Sequence, residues 1–307
     1  MSLGFIFPGQ GSQSVGMLVE LAQAYPVVQQ TFATASEVLG YDLWDLVQNG
    51  PEEKLNETRK TQPALLTAGV AVWRAWNEKH GARPDVMAGH SLGEYSALVC
   101  AGAIQFEDAV KLVSLRGQYM QEAVPAGQGA MAAILGLSDA QVKAACRDAA
   151  QAEVVNAVNF NAPGQVVIAG NNNAVDRAIT LCKEAGAKRA VKLAVSAPSH
   201  CVLMAPAADR LMKKLQTIEI TAPQIPVINN VDVARETDAE QIRDALKRQL
   251  CNPVRWVETI NKMHGDGVDR LIECGPGKVL TGLNKRIEKS MNVMPVFSPQ
   301  TLDEALG

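Results

Sequence analysis

No stretch of this chain approaches the roughly 20 consecutive apolar residues that a membrane-spanning helix needs, so a membrane protein is not expected. Positive charge is also in short supply. The 29 Lys and Arg are outnumbered by 32 Asp and Glu, for a formal net charge of -3, and this balance argues against broad nucleic-acid binding, which needs a basic face to neutralise phosphates. Paired cysteines are missing too. The six cysteines, Cys100, Cys146, Cys182, Cys201, Cys251 and Cys274, form no Cys-x-x-Cys motif and share no metal-ligand spacing with the four histidines. They read as reduced thiols, and no metal is expected. The opening segment MSLGFIFPGQGSQ has neither a cationic region nor a small-residue cleavage site, so it reads as a first strand rather than a signal peptide. The cytoplasm is the expected location. Low-complexity tracts, repeats and long linkers are likewise absent.

What remains is a soluble composition of ordinary kind, 47% apolar and 20% charged over 307 residues. That length suits one large domain with an insertion, or two domains. Short apolar runs at 3–7 (LGFIF), 85–89 (DVMAG), 225–229 (IPVIN), 270–274 (RLIEC) and 292–297 (NVMPVF) read as buried strands, with amphipathic helical stretches between them. The alternation predicts an α/β fold with a parallel sheet covered on both faces, because each parallel crossover needs a dozen or more residues. Between about Ala126 and Ser196 the rhythm changes to strand (GAMAAILGL), helix (139–151), strands VVNAVNF and QVVIAG joined by NAPG, helix (174–185) and strand KRAVKLAV. This β-α-β-β-α-β order predicts an inserted ferredoxin-like unit over 126–196, with 1–125 and 197–307 forming the main domain and a cleft between the two.

The strand DVMAG runs into GHSLG and then into the helical EYSALVCAG, which places Ser91 at the centre of G-x-S-x-G between strand and helix. That context defines a nucleophile elbow, whose glycines permit a strained turn that lifts the serine hydroxyl above the sheet. A serine hydroxyl is a poor nucleophile at neutral pH and needs a base, usually histidine. His90 adjoins the serine and should point away, His80 precedes the elbow strand, and His264 sits in the exposed-looking MHGDG, which leaves His200 in SAPSH by elimination. A structural histidine is the alternative. The first strand ends in FPGQGSQ, where the backbone amide of Gln10 is the natural partner of the Leu92 amide in an oxyanion hole, although such a loop can also merely turn the chain. A phosphate-loop reading is weaker, because no Lys-Ser or Lys-Thr follows these glycines.

On the predicted helix at about 107–124, Ala109, Leu112, Val113, Met120 and Ala123 form an apolar stripe with Arg116 in its middle. A guanidinium so placed must be paired or it costs several kcal/mol. Its partner is either an internal Asp or Glu, or a carboxylate of the substrate held in the bidentate geometry that arginine favours.

Taken in order, FPGQGSQ (7–13), TQPALLTAG (61–69), GHSLGEYSALVCAG (89–102), the Arg116 helix, NFNAPGQVVIAG (159–170), SAPSH (196–200), NPVRW (252–256) and GPGKVL (275–280) resemble the malonyl-CoA:acyl-carrier-protein transacylase family, from first strand to last helix. The resemblance implies an α/β-hydrolase-like main domain, Ser91 as acyl-carrying nucleophile, His200 as base, and Arg116 as partner of the malonyl carboxylate. It also implies the Gln10 and Leu92 amides as oxyanion hole, Gln62 and Asn161 in supporting substrate-binding roles, and the backbone carbonyl of Gln249 as the group that orients the histidine. Malonyl-CoA is then a substrate, no bound cofactor or metal is needed, and the partner is an acyl carrier protein in fatty-acid synthesis. One departure is Ser199, smaller than the residue that malonyl-selective synthase domains often carry before the histidine. Carrier proteins are acidic, so Lys285, Arg286 and Lys289 on the expected final helix, with Lys188 and Arg189 at the inserted unit's last strand, are candidate docking residues. Two other classes remain: a lipid acyl hydrolase using a Ser91–Asp266 dyad, and a non-catalytic carrier-docking scaffold.

Overall fold

A computed structural model describes residues 2–195 and 197–307. Ser196, the last residue of the expected insertion and the first of SAPSH, lies outside the described residues, as does Met1. In chain order the strands are β1 (Ser2–Phe7), β2 (Val86–Gly89), β3 (Gly129–Leu135), β4 (Val155–Ala162), β5 (Gln165–Asn171), β6 (Arg189–Lys192), β7 (Val227–Ile228), β8 (Val268–Cys274) and β9 (Asn292–Val296). All five runs predicted for the parallel sheet are present. They pair in the order β7-β2-β1-β8-β9, every pair parallel.

The apolar character of β1 follows from burial on both faces, as parallel sheets require. Alternate side chains serve opposite layers. Phe5 and Phe7 enter one core cluster together with Trp76, while Ile6 enters another with Ala88, Ile228 and Leu271. Phe5 meets Trp73 and Trp76 edge-on, with ring centroids 5.3 and 5.1 Å away, contacts that each add about 0.5–1.5 kcal/mol beyond buried area. Both tryptophans lie on the helix Thr58–Glu78, which is thereby pinned across the sheet.

The second sheet is antiparallel and runs β4-β5-β3-β6, the ferredoxin-like order that the sequence rhythm predicts. Its helices Asp139–Ala150 and Asn172–Glu184 cover one face and share a core with Val166, Ile168 and Phe160. Ser138 starts the first of them with a capping box to Gln141. The opposite face carries Met131, Val158 and Val167 and packs on Cys201, the neighbour of His200. Strand β4 is stitched to the NPVRW segment by bonds from Val254 N to Val158 O (2.8 Å) and Phe160 N to Val254 O (3.0 Å). These two bonds tie the small sheet to the loop before the helix Trp256–Gly265, and the hollow between the sheets is walled by residues of both parts.

One expectation is corrected near the C-terminus. Lys285 and Arg286 lie on the helix Val279–Ile287, which is not the last, and Lys289 falls beyond it in a turn. A further helix, Pro299–Leu306, follows β9, opened by Ser298 in a capping box with Thr301 and by Pro299 in its first turn. Its eight residues are short enough for the apolar pattern to miss, but the cap is legible.

Candidate active site

Strands β1 and β2 are parallel neighbours, so their C-terminal ends abut and deliver two loops to one place. Open parallel sheets bind ligands outside such ends. From β2 the chain turns through Ser91 at φ 52°, a left-handed conformation that costs a non-glycine residue of order 1 kcal/mol or more, and at once enters the helix Gly93–Cys100. Glycines flank the turn because nothing larger fits. A Cβ on Gly89 would stand 1.8 Å from the carbonyl carbon of Gly93, and one on Gly93 would stand 2.1 Å from the Phe7 carbonyl oxygen. The turn is braced by Asn230, two residues beyond β7, whose Oδ1 accepts the Ser91 N–H at 2.7 Å and whose Nδ2 donates to Gly89 O at 2.7 Å.

His200 also adopts a left-handed conformation, φ 66°, and is buried. Its Nε2 lies 2.8 Å from Ser91 Oγ, and its Nδ1 lies 2.8 Å from the Gln249 carbonyl oxygen. A carbonyl only accepts, so Nδ1 carries the proton and Nε2 is left to receive one from the serine hydroxyl. Burial first, and the Arg116 charge second, push the imidazole down to about 3 and keep it neutral. The other histidines do not compete. His90 lines the same cavity, but its Nε2 bonds Asn161 Oδ1 at 2.8 Å rather than the serine; His264 faces Glu288 at 3.9 Å, and His80 is exposed.

Arg116 is 1% exposed. No internal carboxylate pairs with it among the described residues. Nη1 donates to Gln62 Oε1 at 2.9 Å, and Nη2 donates to Gln249 Oε1 at 2.9 Å and to Ser91 Oγ at 3.3 Å, while Nε finds no partner. Its guanidinium stands over the Tyr95 ring at 5.3 Å. A buried cation held only by neutral oxygens, beside the Ser91 hydroxyl, keeps the capacity to pair with an anion.

The cavity between the sheets has a volume of about 100 Å³ and is bounded by Gln10, Gln62, Ser91, Arg116, Ser199 and His200, among others. Leu92 lines it as well, and neither its backbone N–H nor that of Gln10 has a hydrogen-bond partner among the described residues. Both amides are thus available to an oxyanion, and the helix that begins at Gly93 places its positive end behind them. Asn159 forms part of the wall with its Oδ1 unpartnered, whereas Asn161, the asparagine singled out in the sequence, reaches the site through His90.

Three residues escaped the sequence reading: Asn159, Asn230 and Glu94. Asn230 could have been found as one of two asparagines closing an apolar strand, where a parallel sheet presents its site. Glu94 is 2% exposed and accepts from Asn230 N at 2.9 Å and Gln249 Nε2 at 2.8 Å. Burial pushes its carboxyl up to about 7, opposed by these bonds and by Arg116. Asp266, the base of the hydrolase alternative, pairs instead with Arg235 at 2.6 Å and Lys262 at 3.2 Å and does not line the cavity. No cluster of metal-ligating side chains is found among the described residues, and no helix among them is long and apolar enough to cross a membrane.

The depressed imidazole has a measurable consequence. Below its ordinary value of about 6.5, the unfolded chain binds a proton at His200 that the folded chain refuses. His200 therefore contributes its full stability above 6.5 and loses it as pH falls towards about 3. Glu94 acts in the opposite sense: its contribution is complete below about 4.5 and is lost as pH rises through about 7. Urea denaturation of the wild type and of His200→Gln should give stability curves that run parallel above pH 6.5 and separate below it, the wild type falling more steeply. Parallel curves down to pH 4 would contradict this assignment.

The acyl transferase domain family matches residues 4–300. The chain is 60% identical over 302 residues to the malonyl CoA-acyl carrier protein transacylase of Salmonella typhimurium, covering 98% of each chain. Among solved structures, an acyl carrier protein S-malonyltransferase from Vibrio cholerae superposes with a TM-score of 0.97 at 64% identity, covering 99% of both chains. A malonyl-transacylase in complex with a type II PKS acyl-carrier protein gives 0.99 at 60% identity, covering 100% of this chain and 99% of that one.

Proposed function

The chain belongs to the acyl transferase domain family and is an acyltransferase; from that premise we propose that it moves the malonyl group of malonyl-CoA onto the phosphopantetheine thiol of an acyl carrier protein, through a malonyl ester on Ser91. The observation that carries this reading is one oxygen with two neighbours. Ser91 Oγ lies 2.8 Å from the basic nitrogen of His200 and 3.3 Å from Nη2 of Arg116, so the atom that attacks an acyl carbon sits beside the cation suited to that acyl group's carboxylate.

In the first half-reaction the malonyl carboxylate takes the guanidinium edge now turned towards Ser91 Oγ. The serine hydroxyl gives its proton to His200 Nε2, and Oγ attacks the thioester carbonyl. Negative charge gathers on the carbonyl oxygen and is held by the amides of Gln10 and Leu92. The tetrahedral intermediate collapses, the C–S bond breaks, the departing coenzyme A sulfur takes the proton from His200, and malonyl-Ser91 remains. The second half-reaction runs the same steps in reverse with the carrier thiol as nucleophile. Gln249 holds the imidazole by its backbone carbonyl, the place an acidic residue fills in a Ser-His-Asp triad. Gln62 fixes one side of the guanidinium, and Asn161 steadies His90 at the wall. No metal or bound cofactor takes part in these steps. We take 126–196 as the small domain that closes the cavity over 1–125 and 197–307. The malonyl carrier produced serves chain extension, as in fatty-acid synthesis.

For the carrier we propose the basic edge of the small domain. Arg189 opens β6, an edge strand, with Lys188 before it and the exposed Val191 after it. Leu193, further along, lines the cavity. At about 3.3 Å per residue, Arg189 lies about 13 Å from Leu193, a stretch that a phosphopantetheine arm would follow from the docking point to the cavity wall. Lys285 and Lys289 extend the basic surface. Arg286 is less free, since it donates to Gln165 Oε1 and Pro163 O in the hairpin turn of the small sheet.

Intact-protein mass spectrometry after mixing with malonyl-CoA should show one added malonyl group, absent from Ser91→Ala; labelling that survives the substitution rules out this nucleophile. Arg116→Ala should lower kcat/KM for malonyl-CoA by roughly 10- to 100-fold, the 1.5–3 kcal/mol of a hydrogen bond to a charged group, while acetyl-CoA is retained or favoured. An unchanged malonyl preference excludes the carboxylate role. Reversing charge at Lys188 and Arg189 should raise KM for the carrier protein and spare KM for malonyl-CoA, and equal effects on both would place docking elsewhere.

A further inference from the structure

The transfer steps above make no use of Glu94, yet it is an acidic side chain buried in the first turn of the helix that follows the elbow. Its Oε2 accepts two hydrogen bonds, from Asn230 N at 2.9 Å and from Gln249 Nε2 at 2.8 Å. Gln249 Nε2 also donates to the Ser91 carbonyl at 3.1 Å, and Gln249 Oε1 receives Arg116 Nη2 at 2.9 Å. A glutamine amide can turn either its oxygen or its NH2 towards a neighbour, whereas a guanidinium only donates. Only one of the two orientations therefore suits Arg116. In that orientation the NH2 needs acceptors on the far side, and Glu94 Oε2 and Ser91 O are what it meets.

We propose that Glu94 is a positioning residue for Arg116: its Oε2 holds the Gln249 side-chain amide with the oxygen facing the guanidinium, and so keeps the guanidinium aimed at the carboxylate of the acyl group. The inference rests on the reading of Arg116 as the malonyl carboxylate's partner. With its amide reversed, Gln249 would set an NH2 against Nη2, two donors with nothing between them, and the guanidinium would lose one of the two amide oxygens that steady it. The same Glu94 oxygen holds the backbone of Asn230, whose side chain grips the elbow at Ser91 N and Gly89 O. Glu94 thus ties the orientation of the specificity-determining cation to that of the nucleophile's turn. What the role demands is an acceptor at this reach, not a negative charge.

Two conservative variants separate reach from charge. Glu94→Gln keeps a carbonyl oxygen at the same distance and loses the charge; Glu94→Asp keeps the charge and withdraws the oxygen by one methylene. The readout is the ratio of kcat/KM for malonyl-CoA to that for acetyl-CoA, in which the fraction of folded enzyme cancels. Glu94→Gln should stay within about threefold of the wild-type ratio, and Glu94→Asp should lower it by roughly fivefold or more, the scale of one weakened hydrogen bond to a charged group, with the loss falling on malonyl-CoA. A ratio unmoved in both variants, lowered equally in both, or lowered only in Glu94→Gln overturns the proposal. Arg116→Ala is measured alongside. If it leaves the ratio unchanged, the reading of Arg116 itself fails; if it lowers the ratio while Glu94→Asp does not, only the role of Glu94 fails.

Discussion

Removing a guanidinium from water costs several kcal/mol unless its surroundings restore what hydration supplied, and much of this site is arranged around meeting that cost without a carboxylate. Arg116 is surrounded by the amide oxygens of Gln62 and Gln249, the face of Tyr95 and the hydroxyl of Ser91. The nearest buried acid, Glu94, stands one glutamine away and touches Gln249 rather than the arginine. A direct ion pair would have satisfied the cation within the protein and left less of it for a ligand. The neutral cage keeps the charge unspent, and the same charge helps hold His200 in the neutral form that can accept the serine's proton.

Topology brings these groups together with few elements. The loops after β1 and β2 lie side by side because the strands do, and each supplies one free amide. Strand β7, the other neighbour of β2, is followed two residues on by Asn230, which braces the strained turn. His200 arrives from the segment that leaves the small sheet, and the small sheet is held in place by the bonds of β4 to Val254, four residues beyond Leu250 and close to Gln249. The imidazole, its orienting carbonyl and the small sheet are therefore mechanically linked. Two residues with left-handed backbones, Ser91 and His200, face each other across 2.8 Å. Such strain persists only where the surroundings over-determine it, and here Gly89, Gly93, Asn230 and Gln249 do so.

Much of this was legible in the chain as written. Every strand of both sheets announced itself through apolar runs of the right length, because burial on two faces leaves little freedom in composition. The elbow was legible because a strained turn needs glycines at fixed offsets, and Arg116 because a charge stands out against an apolar helical stripe. His200 emerged by elimination among four candidates, and Gln249 came only from family resemblance, since a backbone carbonyl can belong to any residue. The helix Pro299–Leu306 was overlooked and the basic helix before it taken as final, because eight residues carry too little periodicity to register.

The sequence by itself determined the local events: which segments form strands, where the chain must turn tightly, and which lone charge is out of place in a core. These follow from sterics and burial acting over a few neighbours. Only the tertiary structure decided which polar atoms meet across long stretches of chain. Ser91 is joined to Asn230 and His200, and Glu94 to Gln249, across more than 100 residues in each case. The pairing of buried donors with acceptors is a property of the closed interior, because desolvation imposes it only after the sheets have packed.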